Sequence, residues 1–396
     1  MAEVAIPDEP VLNIKTEFAA RVGICVLNFP EGTEIRDVYK KLIGELKQDP
    51  RIEDLQVAPT TTAQFRETQF PASGLGGDRD SSADTLPINP HRHIHVAGVT
   101  PPIRLHVKVP RRVQSTRESG VPTDEYWAIW DGVTIAIGWR YEDSPRPFGD
   151  AGGRVVLDVL KEAADKAGAA AVSEPCGPNC SYPFAHAKLS LRSSEKSSSD
   201  LTFSGTGASA VDVFISGMSG IEDALTKLFA QVSFAGWCFA SMRSESRTMQ
   251  EIDEFARNDL TTLLSIYYGS VTRKFSFRRQ DFRRWWSQRK WASTANKLIA
   301  RLWLAVATIE GRRLDWTNVK FVYDGFATRT GVGVVFESEY AQDVNVINHI
   351  DISGIKSAID HASSRLDTKS LAFATTVAAV VGALVGVIVG AIITSL

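Results

Sequence analysis

Hydrophobic and polar positions follow different periods in successive stretches of this chain, and those periods predict its elements. Ala20 to Phe29 is apolar and reads as a strand. Thr33 then reads as the cap of a helix whose apolar positions are Ile35, Val38, Tyr39, Leu42, Ile43 and Leu46, with Pro50 just past its end. Residues 59–90 are rich in Thr, Ser, Gly and Asp without periodicity, which predicts a long loop. Strand signals return at Ile94. Ile103, Leu105, Val107 and Val109 alternate with Arg104, His106 and Lys108, the period-two signature of a half-exposed strand. Glu125 to Trp139 predicts a hairpin that turns at Asp131-Gly132. A helix follows, opened by Gly152-Gly153, striped by Val155, Val156, Val159, Leu160, Ala163 and Ala164, and closed by Gly168. Residues 169–174 read as one more strand.

Beyond the polar stretch Ser193 to Asp200 and a strand at Val211–Ile215, the pattern becomes mainly helical. Residues 219–240, 247–268 and 279–310 predict helices. Leu228–Ala240 is apolar but short and follows Glu222, Asp223 and Lys227, so it reads as a buried helix rather than a membrane span. A hairpin over 317–338 and a short amphipathic helix over 353–366 complete this part. The mixture, without a regular βαβ repeat, predicts an α+β fold. Its N-terminal mixed α/β sheet domain covers residues 1–192. A helical region with a β-hairpin covers 201–368, and one transmembrane helix covers 371–394.

That last segment is the most specific signal. Leu371 to Ile393 carries no charge, no Pro and only Thr375 and Thr376 as polar groups. As a helix it would span roughly 35 Å, against a bilayer core of about 30 Å. A buried core helix is the competing reading, but core helices rarely run so long without a polar face. Arg365 and Lys369 precede the segment and no basic residue follows it, which predicts that residues 1–370 face the cytoplasm. Ala374, Ala378, Gly382, Gly386 and Gly390 recur every four residues, so they share one helix face. A strip of small residues lets a second backbone approach closely in lipid, which predicts homo-oligomerisation.

Composition changes the picture little. The 396 residues are 44% hydrophobic and 23% charged, which excludes a disordered or fibrous chain. A net charge of -2 confines any nucleic-acid or anionic-lipid role to a local patch. Four cysteines do not make a disulfide scaffold. The first residues have neither a basic start nor an apolar run, so no secretory signal is expected there.

Three clusters are candidates for chemistry. Cys176, Cys180 and His186 are soft and imidazole ligands of the kind zinc takes, one short of the four a structural site needs. His93 or His95, which alternate with His91 along one strand face, would supply the fourth; the competing readings are a rigid turn with packed thiols and a solvated strand face. Arg273 to Trp291 holds eight basic, one acidic and six aromatic residues. Within it Arg273, Lys274, Arg278, Arg279, Arg283, Arg284, Trp285 and Trp286 suit lipid headgroups or another partner. Single-stranded nucleic acid is the less favoured partner, and an amphipathic helix with its rings in the core is the plain alternative. Nucleotide-binding, nucleophile-elbow and zincin motifs are absent from the sequence, so catalysis has no motif behind it.

The order hairpin (YWAIWDGVTIAIGW), helix (GGRVVLDVLKEAADKAG) and PCGPNCSYPFAHAKL resembles proteins of the bacterial CATRA conflict systems, which are named for association with caspase-like and TPR-repeat proteins. The resemblance covers roughly residues 120–190 plus the terminal helix. It implies a component of a bacterial antiviral defence or programmed-death system, with a partner protease or repeat protein as trigger, and it supplies no catalytic residue. The expectation is a membrane-anchored, non-enzymatic effector or scaffold. A membrane-tethered zinc enzyme and a passive tail-anchored adaptor are the alternatives.

Overall fold

The structure is a computed structural model of the 396-residue chain, and it describes residues 17–71, 93–114, 120–141, 152–173, 182–194, 201–205, 210–271 and 281–363, without the side chains of 267–292. It is α+β, with a large mixed sheet and helices. The chain divides into two compact units. A sheet unit takes residues 1–67, 96–237 and 325–339, and a helical unit takes 68–95, 238–324 and 340–396.

The sheet unit is organised on β1 (Phe18–Phe29), a 12-residue strand buried over nearly its whole length. After it come α1 (Ile35–Gln48), β2 (Ile52–Gln56), β3 (Gln64–Pro71), β4 (His93–Thr100), β5 (Ile103–Lys108), β6 (Glu125–Trp130), β7 (Thr134–Arg140), α2 (Arg154–Lys166), β8 (Ala170–Ser173), β9 (Lys188–Ser194), β10 (Leu201–Gly205) and β11 (Ala210–Ser216). The strand order is β10-β11-β9-β1-β7-β6-β5-β2. Two stretches of β1 serve different neighbours. Phe18–Ile24 pairs with β7 and Phe18–Ala20 with β9, while Cys25–Asn28 pairs with β8, and β4 also pairs with β1. All the registered pairings are antiparallel except β11 with β9.

The reasons for these elements are local. In α1 the six apolar positions read from the sequence are the six that are buried. The stripe of α2 is buried likewise, and both helices pack into one core with Trp130, Ile135, Ile137 and Trp139. The β6–β7 hairpin turns at Asp131-Gly132, where Gly132 has φ 88°, a region glycine enters without a Cβ penalty. Asp131 Oδ1 accepts the backbone N–H groups of Val133 and Thr134 at 2.9 and 2.7 Å and closes the turn. One expectation is corrected at α1: its N-cap is Glu34, with no side-chain cap bond, so Thr33 does not cap it. Another is corrected within 59–90, where Gln64–Pro71 is a strand paired with β4 rather than loop; residues 72–92 lie outside the described residues.

The two predicted helices over 219–240 and 247–268 are one, α3 (Ile221–Val271). The polar stretch between them does not break it. Ser246 Oγ donates to the Arg243 carbonyl and Thr248 Oγ1 to the Ser244 carbonyl, so the hydroxyls are satisfied within the helix. The stretch Leu228–Ala240 is a mostly buried part of α3, as expected. The predicted hairpin over 317–338 is absent. α4 (Asp281–Thr330) runs through its first half, a short 3-10 turn covers Val332–Val335, and α5 (Glu337–His349) takes up its end. The Asp324-Gly325 pair lies inside the helix. The helical period wins because Ala295, Leu302, Ile309, Trp316 and Tyr323 are buried at every seventh residue. α6 (Ile352–Ser363) matches the expected amphipathic helix and ends three residues earlier.

In the helical unit α3 shows the same seven-residue spacing at Met242, Met249, Ala256 and Leu263. Its pairing with α4 is antiparallel, since Asp259 meets Arg301 at 3.0 Å and Glu245 meets Arg312 at 2.9 Å. Asp343 on α5 meets Arg243 on α3 at 3.2 Å, with both side chains almost fully buried. Among the described residues no helix is long and apolar enough to cross a membrane. The predicted span 371–394 lies outside the described residues.

Candidate functional site

Of the predicted ligands, His186 is the one that the structure places in a defined polar arrangement. It lies on the stretch 182–187 that leads into β9. That stretch is fixed to β1: the Ala185 N–H donates to the Val22 carbonyl at 2.8 Å, and a Cβ on Gly23 would overlap Phe184. Glu339, in the first turn of α5, is 2% exposed. Its Oε1 accepts the His186 backbone N–H at 2.7 Å and sits 2.7 Å from the ring Nδ1. The other oxygen, Oε2, is buried without a hydrogen-bond partner.

From the other side comes Arg21 of β1, 1% exposed. Its Nη1 donates to the carbonyls of His186 and Ala187 at 3.5 and 3.4 Å. Its guanidinium lies 5.4 Å from the centre of the Tyr182 ring, which in turn faces the His186 imidazole at 6.1 Å. A buried cation and a buried anion thus both bind the backbone at 186–187, and their charges offset each other. The chemical result is an imidazole held by a carboxylate at Nδ1. That bond assigns the proton to Nδ1 and makes Nε2 the lone-pair nitrogen, the form in which histidine binds a metal or takes a proton. The imidazole is half-exposed.

The rest of the predicted site is not assembled within either unit. His93 and His95 lie at alternate, half-buried positions of β4 and fall in the helical unit, whereas His186 falls in the sheet unit. Cys176 and Cys180 lie outside the described residues, as do His91, Arg273, Lys274, Arg278, Arg279 and the small-residue strip Ala374, Ala378, Gly382, Gly386 and Gly390. Arg283, Arg284, Trp285 and Trp286 belong to the first turns of α4, with side chains outside the description.

Among the described residues a different trio brings metal-ligand atoms together: Glu53, His106 and Glu125, within 4.8 Å of one another. The chain supplies its own cation there. Lys108 Nζ lies 3.3 Å from Glu53 and 2.8 Å from Glu125, and that pairing raises the lysine pKa. His106 stacks on Trp127 with ring centres 4.5 Å apart. An open groove of about 670 Å³ lies beside this cluster, lined by Arg51, Lys108, Val113, Gln114, Asp158 and Lys161, among others. None of the residues singled out from the sequence lines it.

Sequence reasoning missed two groups. Glu339 is 153 residues from His186, and no local pattern marks the pair. Asp131 was read as a turn residue, which it is. Its Oδ2 also accepts Trp237 Nε1 of α3 at 3.1 Å. Burial pushes its carboxyl up to about 6, against three N–H groups that favour the anion. No known protein family, curated protein or solved structure matches this chain.

Proposed function

We propose that this chain is a membrane-anchored, non-enzymatic effector or scaffold of a bacterial defence or conflict system. It attaches through Leu371–Thr394 and self-associates along Ala374, Ala378, Gly382, Gly386 and Gly390. The observation that carries this reading is the uncharged apolar run of the C-terminal segment. No described helix can cross a membrane, so attachment falls to that segment. The basic and aromatic residues 273–291 connect α3 to α4 and cover its first turns, where they suit an anionic headgroup surface. Clustering of anchored copies raises the effective concentration of neighbouring membrane segments, which is how a partner protease or repeat protein would trigger it.

The test is expression of the full-length chain in a bacterium while membrane potential and growth are followed, beside Gly386→Leu and a truncation at Ser370. Depolarisation by the full chain alone supports an effector whose glycine face must pack. Identical behaviour of all three, with the full chain in the membrane fraction, sinks the effector and leaves a passive tail-anchored adaptor.

The His186–Glu339 pair favours a second reading, a membrane-tethered metal-dependent protein that uses Cys176, Cys180 and His186. Glu339 would orient the imidazole, and the metal would act as a structural cross-link or a Lewis acid. Stoichiometric zinc in the purified chain, lost in His186→Ala, supports it. Absence of zinc, with both cysteines freely alkylated, removes it.

A further inference from the structure

Five large hydrophobic side chains are conspicuously exposed among the described residues, and three belong to one short stretch of α4: Leu314 at 56%, Phe321 at 81% and Val322 at 48%. Residues seven and eight apart return to one side of a helix. The opposite side of the same turns carries Trp316 and Tyr323, which are buried. This part of α4 is therefore apolar on two sides. A helix that needs only one partner would carry polar residues on its back, so an uncovered apolar back marks a contact site.

The structure indicates what covers it. Lys356 of α6 reaches Glu310 at 2.6 Å, and Glu310 stands one turn before Leu314 on the same face of α4. Arg313 donates to the carbonyls of Ile347 and Ile350 at 3.0 and 3.2 Å, just before α6 begins. So α6 lies at one end of the exposed stripe, and the chain continues from α6 directly toward its apolar terminus. Between Ser363 and Leu371 stand seven residues, 364–370, which reach up to about 25 Å. From Glu310 to Phe321 along the helix is about 16 Å. The chemistry matches as well: the segment Leu371–Ile393 is uncharged and cannot rest in water at its full length.

We infer that, before it reaches a membrane, the C-terminal segment packs against the Leu314–Phe321–Val322 face of α4 of its own chain, so that this face restrains membrane insertion. The inference rests on the reading of Leu371–Thr394 as the membrane-inserting segment. The stripe would hold the segment as a shallow apolar cradle, and insertion would exchange that contact for lipid. A partner that competed for the stripe would release the segment.

The experiment uses the full chain with a benzophenone amino acid in place of Phe321. It is irradiated in detergent-free solution and again after addition of vesicles containing anionic lipid. The expected product is monomer-sized, with its cross-link mapped within 371–394, and it is lost when vesicles are added. A dimer-sized product would make the stripe a contact between copies and overturns the inference, as does irradiation that yields no cross-link. Flotation of the same samples separates the two layers of argument. Protein that floats without having formed the cross-link retains its anchor and lacks the restraint. Protein that cross-links but never floats has a tail that binds α4 and is no anchor, which sinks the anchor reading and the restraint together. A second variant, Phe321→Glu with Leu314→Gln, changes only exposed positions. It should bind vesicles faster by on the order of tenfold, the factor that loss of one buried aromatic contact supplies. An unchanged rate overturns the restraint.

Discussion

Around Gly98, Gly138 and Gly236 the sheet unit brings strand and helix together where a side chain is missing. The helical unit instead places Glu245, Asp259 and Arg243 in its contacts. A Cβ on Gly98 would overlap the Trp237 indole, and one on Gly236 would overlap Thr134. Leu225 packs where Gly138 leaves space. The match is one of shape, and few alternatives fit. Two helices with apolar residues at every seventh position have no such constraint, because sliding by one repeat restores a similar surface. The ion pairs Asp259–Arg301, Glu245–Arg312 and Arg243–Asp343 remove that freedom, since a slipped register would leave charges buried alone. Shape fixes the packing in one unit, and charge fixes it in the other.

The largest expected effect tests the charged side of this contrast. Arg243→Met alone should destabilise the helical unit by about 3–5 kcal/mol in urea unfolding, because Asp343 is left buried and unpaired. Adding Asp343→Leu should recover most of that loss. A double variant as unstable as the single one would show that the pair's worth is in attraction rather than in avoided burial.

Next is a charge in the unit otherwise governed by shape. Asp131 has its carboxyl raised to about 6 from the model value 3.8, so between those values the folded protein holds a proton that the unfolded chain has released. Stability should therefore fall as pH rises from about 4 to about 6, by on the order of 3 kcal/mol, and level off above. Asp131→Asn should flatten that slope in unfolding measurements. A slope unchanged in the variant would assign the titration elsewhere.

Gly98→Ala comes third, with an expected loss of about 1–3 kcal/mol from forcing Trp237 aside. The indole's bond to Asp131 should weaken with it, visible as a shift in Trp237 fluorescence measured against Trp237→Phe. The smallest effect belongs to a half-exposed pair of the helical unit: Lys356→Ala should cost no more than about 1 kcal/mol, and less in high salt.

How far the sequence predicts these features depends on the range of the interaction. The α1 and α2 stripes and the Asp131-Gly132 turn are complete within 15 residues of chain, so period and turn chemistry suffice. The break expected between 240 and 247 and the hairpin expected over 317–338 fail for the opposite reason. Local polarity and an Asp-Gly pair suggest an end to the helix, but the partner helix rewards continuation of the seven-residue spacing. The candidate site was half legible. His186 stands out beside two cysteines, while Glu339, its carboxylate, lies far along the chain with no pattern to mark it. Asp131 was visible as a turn former, but its second bond needs a tryptophan more than a hundred residues later.

The double use of β1 bears on how the protein is made. Phe18–Phe29 leaves the ribosome among the first residues, yet its neighbours β4, β7, β8 and β9 come from residues 93 to 194. At roughly 5–20 residues per second, the strand waits from several seconds to about half a minute for its last neighbour. For that interval a 12-residue apolar strand has no sheet to join. It is the part of the nascent chain most in need of a chaperone, and slower translation upstream of β9 should lower the yield of folded protein more than slower translation after it.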